Sequence, residues 1–256
     1  LAVSLGKDPL TSPAASGDEA QEHALQAGVA VWVDADRRRS AQAACEAGAD
    51  ALVLDDGFQR RWQLARDLDL LVADWTQLQG AERLLPAGPW REPWSQARQA
   101  DAFVISHAPQ GMDVKALARA LPAAWQGRPV FRLDLRLRGL QAWPRGKPAA
   151  LKSLKGCAVA ALSGLGKPGA FEASLAALGA RVLPWRFADH HGYRLSELAR
   201  IPTGARAVVT TLKDAQRLPP DWKPPVPVWV LLVEAQVSPA APFEALLRKA
   251  LHRTRS

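Results

Sequence analysis

The sequence predicts an α/β fold, a mostly parallel sheet covered on both faces and divided into two parts, the second smaller. Three observations predict it. Short apolar runs of strand length alternate with stretches of helical period along most of the chain. Of the 256 residues, 48% are hydrophobic, enough to bury a sizeable core. Charged residues make up 23%, which argues against disorder.

The elements follow in order. Residues 1–7 read as the end of a strand entering a loop. Residues 29–33 read as a strand and 37–47 as a helix. Residues 51–54 read as a short buried strand that ends at Asp55 and Asp56. Strands are expected at 68–74 and 102–106, and a helix at 114–121. Between them, residues 77–93 form a long polar loop stiffened by Pro86, Pro89 and Pro93; loops of this length are functional or disordered. Residues 131–138 alternate apolar and polar, as a half-exposed strand does, until Pro144, Gly146 and Pro148 break the pattern. A boundary is expected at 151–155, dividing the chain into 1–152 and 153–256. The second part reads as strand 158–162, a Gly-rich turn at 164–169, helix 170–178, strands at 181–187, 207–211 and 228–233, and a final helix at 242–252.

The formal net charge is +8. A basic surface attracts nucleic acid, anionic lipid headgroups or phosphorylated substrates, and charge alone does not choose among them. The basic residues are dispersed and no nucleic-acid recognition module is present, so nucleic acid is the weakest of the three. Ten tryptophans stand beside one tyrosine, several among arginines: Arg60, Arg61 and Trp62, then Trp90, Arg91 and Trp94. That mixture suits a membrane interface or an amphipathic ligand, and it equally suits ordinary packing. Cys45 and Cys157 are far apart and in no ligand spacing, so neither a zinc site nor a disulfide framework is suggested. No apolar run reaches the roughly 18 residues that span a bilayer.

Four segments carry candidate chemistry. In residues 51–59, Ala-Leu-Val-Leu-Asp-Asp-Gly-Phe-Gln, a strand delivers Asp55 and Asp56 at its C-terminal end, where α/β sheets bind ligands. Paired acids there suit Mg²⁺ in a nucleotide-dependent phosphotransferase, although Asp-Asp-Gly is also ordinary turn chemistry. Gly17-Asp18-Glu19 precedes a helix-like stretch, and its acids suit a helix start as well as a site. Asp189-His190-His191-Gly192-Tyr193 follows a strand and offers acid/base groups. Residues 83–93 contain Leu-Leu-Pro-Ala-Gly-Pro-Trp-Arg-Glu-Pro, whose arginines suit phosphate and whose prolines suit a stiff surface loop.

In this order, and followed by Thr211-Leu-Lys-Asp214, these segments resemble the tetraacyldisaccharide 4′-kinase family from about Gly17 to Val233. Asp36-Arg37 and Gly164-Leu-Gly-Lys-Pro168 also fall where that family has similar residues. The resemblance implies a P-loop-type α/β domain, N-terminally incomplete here, with a smaller C-terminal α/β domain and the active site in the cleft between them. It implies ATP and Mg²⁺ as cofactors and transfer of the γ-phosphate to the 4′-hydroxyl of an acylated disaccharide 1-phosphate, giving lipid IVA. It implies a monomer at an anionic membrane surface, the cytoplasmic face of the bacterial inner membrane, with no nucleic-acid partner. Carried over by position, Asp18 and His190 are the catalytic pair; Glu19, Asp55 and Asp56 hold or orient Mg²⁺; Gln59 and Arg37 line the nucleotide site; Arg91 and Glu92 line the substrate site.

The chain departs from the family pattern in places. It has no Gly-x-x-x-x-Gly-Lys-Ser/Thr loop, and Gly164-Leu-Gly-Lys167 has the wrong spacing for one. Arg60 stands where the family has histidine, and Leu212 where it has glutamate. The chain begins at Leu1 rather than at methionine, which favours a truncated copy over a divergent homologue without ATP binding that would act as a lipid-binding module. On either explanation, little kinase activity is expected of these 256 residues alone.

Overall fold

The computed structural model describes residues 1–6, 10–11, 13–59, 61–144 and 146–253. Arg60 and Lys7 lie outside the described residues. Packing groups the chain into two compact units, each drawn from two stretches of the sequence. Unit one is Leu1–Asp36 with Leu137–Glu234, and unit two is Arg37–Arg136 with Ala235–Ser256.

Unit one opens with β1 (Ala2–Leu5), the short helix α1 (Pro13–Ser16), α2 (Asp18–Ala27) and β2 (Ala30–Trp32). β1 and β2 pair antiparallel. Unit two opens with α3 (Arg37–Glu46), β3 (Leu70–Asp74), α4 (Trp75–Leu78), β4 (Ala102–Ser106) and α5 (Val114–Ala120). The long strand β5 (Val130–Ala142) starts in unit two and ends in unit one, where β6 (Pro148–Ala149) pairs with it antiparallel. Then come β7 (Ala158–Ser163), α6 (Gly169–Ala177), β8 (Arg181–Arg186), α7 (Leu195–Leu198), β9 (Ala207–Thr210) and α8 (Leu212–Ala215). β10 (Val228–Ser238) leads back to unit two and α9 (Ala240–Arg253).

Apart from those two antiparallel pairs, the strand pairings described within each unit are parallel. In unit two, β4 lies between β3 and β5. In unit one, β7 lies between β8 and β9, and β9 pairs with β10. Parallel strands need both faces covered, and their alternating side chains show that they are. On β4, Phe103 and Ile105 pack with Leu117 of α5 and Trp125, while Ala102 and Val104 pack with Phe131 and with Phe243 and Leu246 of α9. On β7, Val159 and Ala161 meet Phe171 and Leu175 of α6, while Ala160 and Leu162 meet Tyr193, Leu198, Leu218 and Trp222.

The starts of α4, α5 and α8 are fixed by side chains. Asp113 accepts the Ala116 N–H at 2.6 Å at the start of α5, and Asp74 accepts the Thr76 N–H at 2.8 Å at the start of α4. Thr211 does the same for Asp214 N–H at 3.1 Å at the start of α8.

One expected strand is absent. Residues 51–54 carry no strand, and Leu52 and Val53 are exposed, Val53 at 98%. A strand is buried only when neighbours take up its backbone bonds, and among the described residues none pairs with this segment. The tryptophans mostly resolve towards packing. Trp75, Trp125 and Trp222 are buried, Trp90 packs edge-on against both Trp94 and Trp125, and Trp62 is exposed. Among the described residues, no helix is long and apolar enough to cross a membrane.

Candidate functional site

The predicted site residues fall into two groups, one in each unit. Arg37, Asp55, Asp56, Gln59, Arg91 and Glu92 lie in unit two; Asp18, Glu19 and His190 lie in unit one.

In unit two, Asp55 to Phe58 form a turn. Gly57 is required there, because a Cβ would stand 2.8 Å from Leu54 Cβ. Arg37, the first residue of α3, clasps the turn: its guanidinium donates to Asp56 O at 2.8 Å and to Gln59 O at 3.1 Å. Arg66 donates to Gly57 O at 3.1 Å, and the Arg61 guanidinium sits 4.2 Å over the Phe58 ring. Asp55 Oδ1 accepts the Asp56 N–H, and Arg91 Nη1 donates to Asp56 Oδ2 at 2.6 Å. The last pair is exposed on both sides, so it orients more than it stabilises. The structure therefore brings Arg37, Asp56, Gln59 and Arg91 together. Glu92, half-buried, follows Arg91 directly.

Asp55 and Asp56 supply two hard oxygen donors on one turn. Mg²⁺ is held by one or two carboxylates, with waters and phosphate oxygens completing its shell, so this donor set fits the ion. Among the described residues no group of three or more His, Cys, Asp or Glu side chains could hold a metal ion.

In unit one, the loops after β7, β8 and β9 meet at the C-terminal ends of parallel strands, where α/β folds place ligands. The loop after β8 carries Asp189 and His190. His190 has a positive φ of 58°, uncommon outside glycine. Lys213 of α8 donates to Asp189 Oδ1 at 3.0 Å and lies 3.2 Å from His190 Nε2; Arg217 Nη2 lies 2.9 Å from His190 Nδ1. A neutral imidazole has one acceptor nitrogen, so only one of these two cations hydrogen-bonds the ring at a time. The Lys213 hydrogen bond holds the Asp189 carboxyl below the usual aspartate range. His191 faces away from that pair, its Nε2 2.9 Å from Glu197, whose pKa is lowered chiefly by this bond.

Beneath them lies Asp214, fully buried. Its Oδ1 accepts the Gly164 N–H at 3.0 Å and the Tyr193 O–H at 2.8 Å, and its Oδ2 accepts the Thr211 O–H at 2.8 Å. Burial and the Asp214 charge push the Tyr193 phenol far above its ordinary range, so it stays a donor.

Asp18 and Glu19 open α2 at its positive end, a favourable place for acids. α2 lies against α8, the helix whose Lys213 reaches His190. Glu19 is exposed; the Asp18 side chain is outside what the structure describes.

Sequence reasoning had noted Thr211-Leu-Lys-Asp214 and Gly164 without assigning them work, and had missed Arg217 altogether. It also missed His107, which has φ 54° at the end of β4 and places Nδ1 3.4 Å from Asp74 Oδ2. Gly164, Thr211 and His107 stand just after apolar runs, whereas Arg217 has no such local signal.

Residues 3–252 match the family model described as Tetraacyldisaccharide-1-P 4'-kinase, LpxK. The chain is similar to a tetraacyldisaccharide 4'-kinase of Anaeromyxobacter dehalogenans strain 2CP-C, 43% identical over 232 residues, covering 84% of this chain and 59% of the relative. It is similar to one of Xanthomonas campestris pv. campestris strain 8004, 36% identical over 243 residues, covering 89% and 67%. Its fold matches LpxK from Aquifex aeolicus, solved in complex with ATP, with a TM-score of 0.78 and 28% identity, over 98% of this chain and 74% of that one. The chain thus spans about three fifths of the length of the Anaeromyxobacter relative. It belongs to the tetraacyldisaccharide-1-P 4'-kinase family.

Proposed function

We propose that the protein carrying this chain transfers the γ-phosphate of ATP to the 4′-hydroxyl of an acylated disaccharide 1-phosphate. The observation that supports this best is the family match over residues 3–252, with the expected motifs clustered in each unit. In unit two, Arg37 and Gln59 lie on the nucleotide side, and Arg91 and Glu92 on the substrate side. Asp55 and Asp56 of unit two hold or orient Mg²⁺, which neutralises phosphate charge when bound. In unit one, His190 and Asp18 take the proton from the attacking sugar hydroxyl. His190 can do so only when one of its ring nitrogens passes from Lys213 or Arg217 to that hydroxyl. We assign residues 1–152 to the nucleotide-side domain and 153–256 to the smaller one, as the family pattern suggests.

The test is transfer of label from γ-labelled ATP to tetraacyldisaccharide 1-phosphate by that protein. Mg²⁺-dependent product formation is expected. His190→Ala should lower kcat by roughly 10²–10⁴-fold, the usual worth of a general base. Absence of product from folded protein, or a wild-type rate for His190→Ala, would remove the activity or the base respectively.

The protein is further proposed to work as a monomer at the cytoplasmic face of the bacterial inner membrane; the net charge of +8 and the exposed Trp62 support contact with an anionic membrane surface. Co-sedimentation with vesicles containing anionic lipid should weaken as salt is raised. Salt-independent binding would exclude an electrostatic attachment.

A further inference from the structure

The buried carboxylate of Asp214 joins three loops that are distant in sequence. Its Oδ1 takes Gly164 N–H after β7 and Tyr193 O–H after β8, and its Oδ2 takes Thr211 O–H after β9. Burying a charge is costly unless hydrogen bonds replace its water, and three donors do so here. The fit is close: a Cβ on Gly164 would stand 3.0 Å from Ala188 O and 3.1 Å from both Asp214 Oδ1 and Tyr193 Oη. The Tyr193 ring is also packed edge-on against Phe187 at 5.0 Å and against His191 at 5.3 Å, so both ends of the segment that carries His190 are pinned. Phe187 N–H donates to Ser163 O at 2.8 Å, closing the same segment against β7.

The one helical turn that holds Asp214 inward sends its neighbours outward to His190. Lys213 reaches Asp189 Oδ1 and His190 Nε2, and Arg217 reaches His190 Nδ1. A shift of that turn would move Asp214's three donors and His190's two cations together.

We propose that Asp214, acting through Tyr193 and α8, is a positioning residue that sets the orientation of the His190 ring. This rests on the reading of His190 as the base. The positive φ of His190 is consistent with it, since a sparsely populated backbone state persists only where the surroundings over-determine it.

The experiment compares Asp214→Asn, Asp214→Ala and Tyr193→Phe in the protein carrying this chain, each checked for folding by circular dichroism. The first readout is the His190 imidazole resonance in a proton–nitrogen correlation spectrum, assigned by its loss in His190→Ala. The second is the split between kcat and KM. The His190 signal should move in Tyr193→Phe and in Asp214→Ala, and less in Asp214→Asn, which keeps the Oδ1 acceptor. Turnover should fall roughly tenfold in Tyr193→Phe with KM for ATP within about twofold, the pattern of a displaced group rather than a lost binding contact. If Asp214→Ala fails to fold, Tyr193→Phe and Asp214→Asn decide the matter. An unmoved His190 signal and unchanged kcat in folded Tyr193→Phe and Asp214→Asn would overturn the proposal. The resonance does not depend on catalysis, so a failure of the kinase reading would leave a moved His190 signal intact and separately visible.

Discussion

Thr210, at the end of β9, is fully buried, and its hydroxyl finds no partner among the described protein atoms; Ser163 at the end of β7 is alike. An unmatched buried hydroxyl carries a desolvation cost, so replacing it with a methyl of the same shape removes a penalty. Thr210→Val should therefore raise stability by about 1 kcal/mol, read as a higher urea midpoint with unchanged slope. Titration offers a second expectation at this scale. Arg186 grips Glu172 with two 2.7 Å bonds, and Arg132 grips Asp134; each carboxyl is held below its ordinary range chiefly by that hydrogen bond. A lowered folded pKa means that the unfolded chain binds protons more readily. The stabilising contribution is thus fully present above an unfolded value of about 4 and is lost as pH falls through the lower folded value. Melting temperature should drop as pH falls below about 4, and Glu172→Gln should flatten part of that drop. The residues of the Asp214 cluster were hard to read from sequence for a plain reason. Gly164 and Asp214 are fifty positions apart, and nothing local to either announces the other.

Elements with strong local signals were the legible ones. The runs 102–105 and 158–162 are apolar throughout, and both became central strands with two covered faces. The run 51–54 looks the same as a string of letters, but burial depends on what lies alongside, and here nothing described does. β10 continues to Ser238, beyond the expected 233, because Glu234, Ala235 and Gln236 are exposed and give no apolar signal, while Val237 returns to pack beside Phe131. Caps make an element-scale prediction. Asp113→Ala removes the oxygen that closes the start of α5 and should cost about 1 kcal/mol, measured by chemical denaturation. The turn at 55–58 was placed correctly from its Asp-Asp-Gly, but the arginines that clasp it come from α3 and from the 83–93 loop, far along the chain.

At the scale of the whole molecule, the family and the mostly parallel α/β fold were readable because ordered motifs survive over most of the chain, whereas the grouping into two units was not, because β5 and β10 each pass through a unit boundary as one continuous strand. Phe243 of α9 meets Phe131 with ring centroids 5.0 Å apart, closing one face of β4. Phe243→Ala should cost about 2 kcal/mol, below the usual range for a fully buried aromatic since Phe243 is only half-buried, and the loss should appear in the melting temperature. This geometry also fixes a timetable for the ribosome. Synthesis proceeds from the N-terminus, so residues 1–36 emerge ahead of 37–136 and must wait through a hundred further residues for their partners from 137 onward. Unit two in turn keeps Ala102, Val104 and Phe131 uncovered on one face until α9 arrives. The nascent chain therefore presents apolar sheet surface until α9 has been made, and its need for chaperones at that face should last until then.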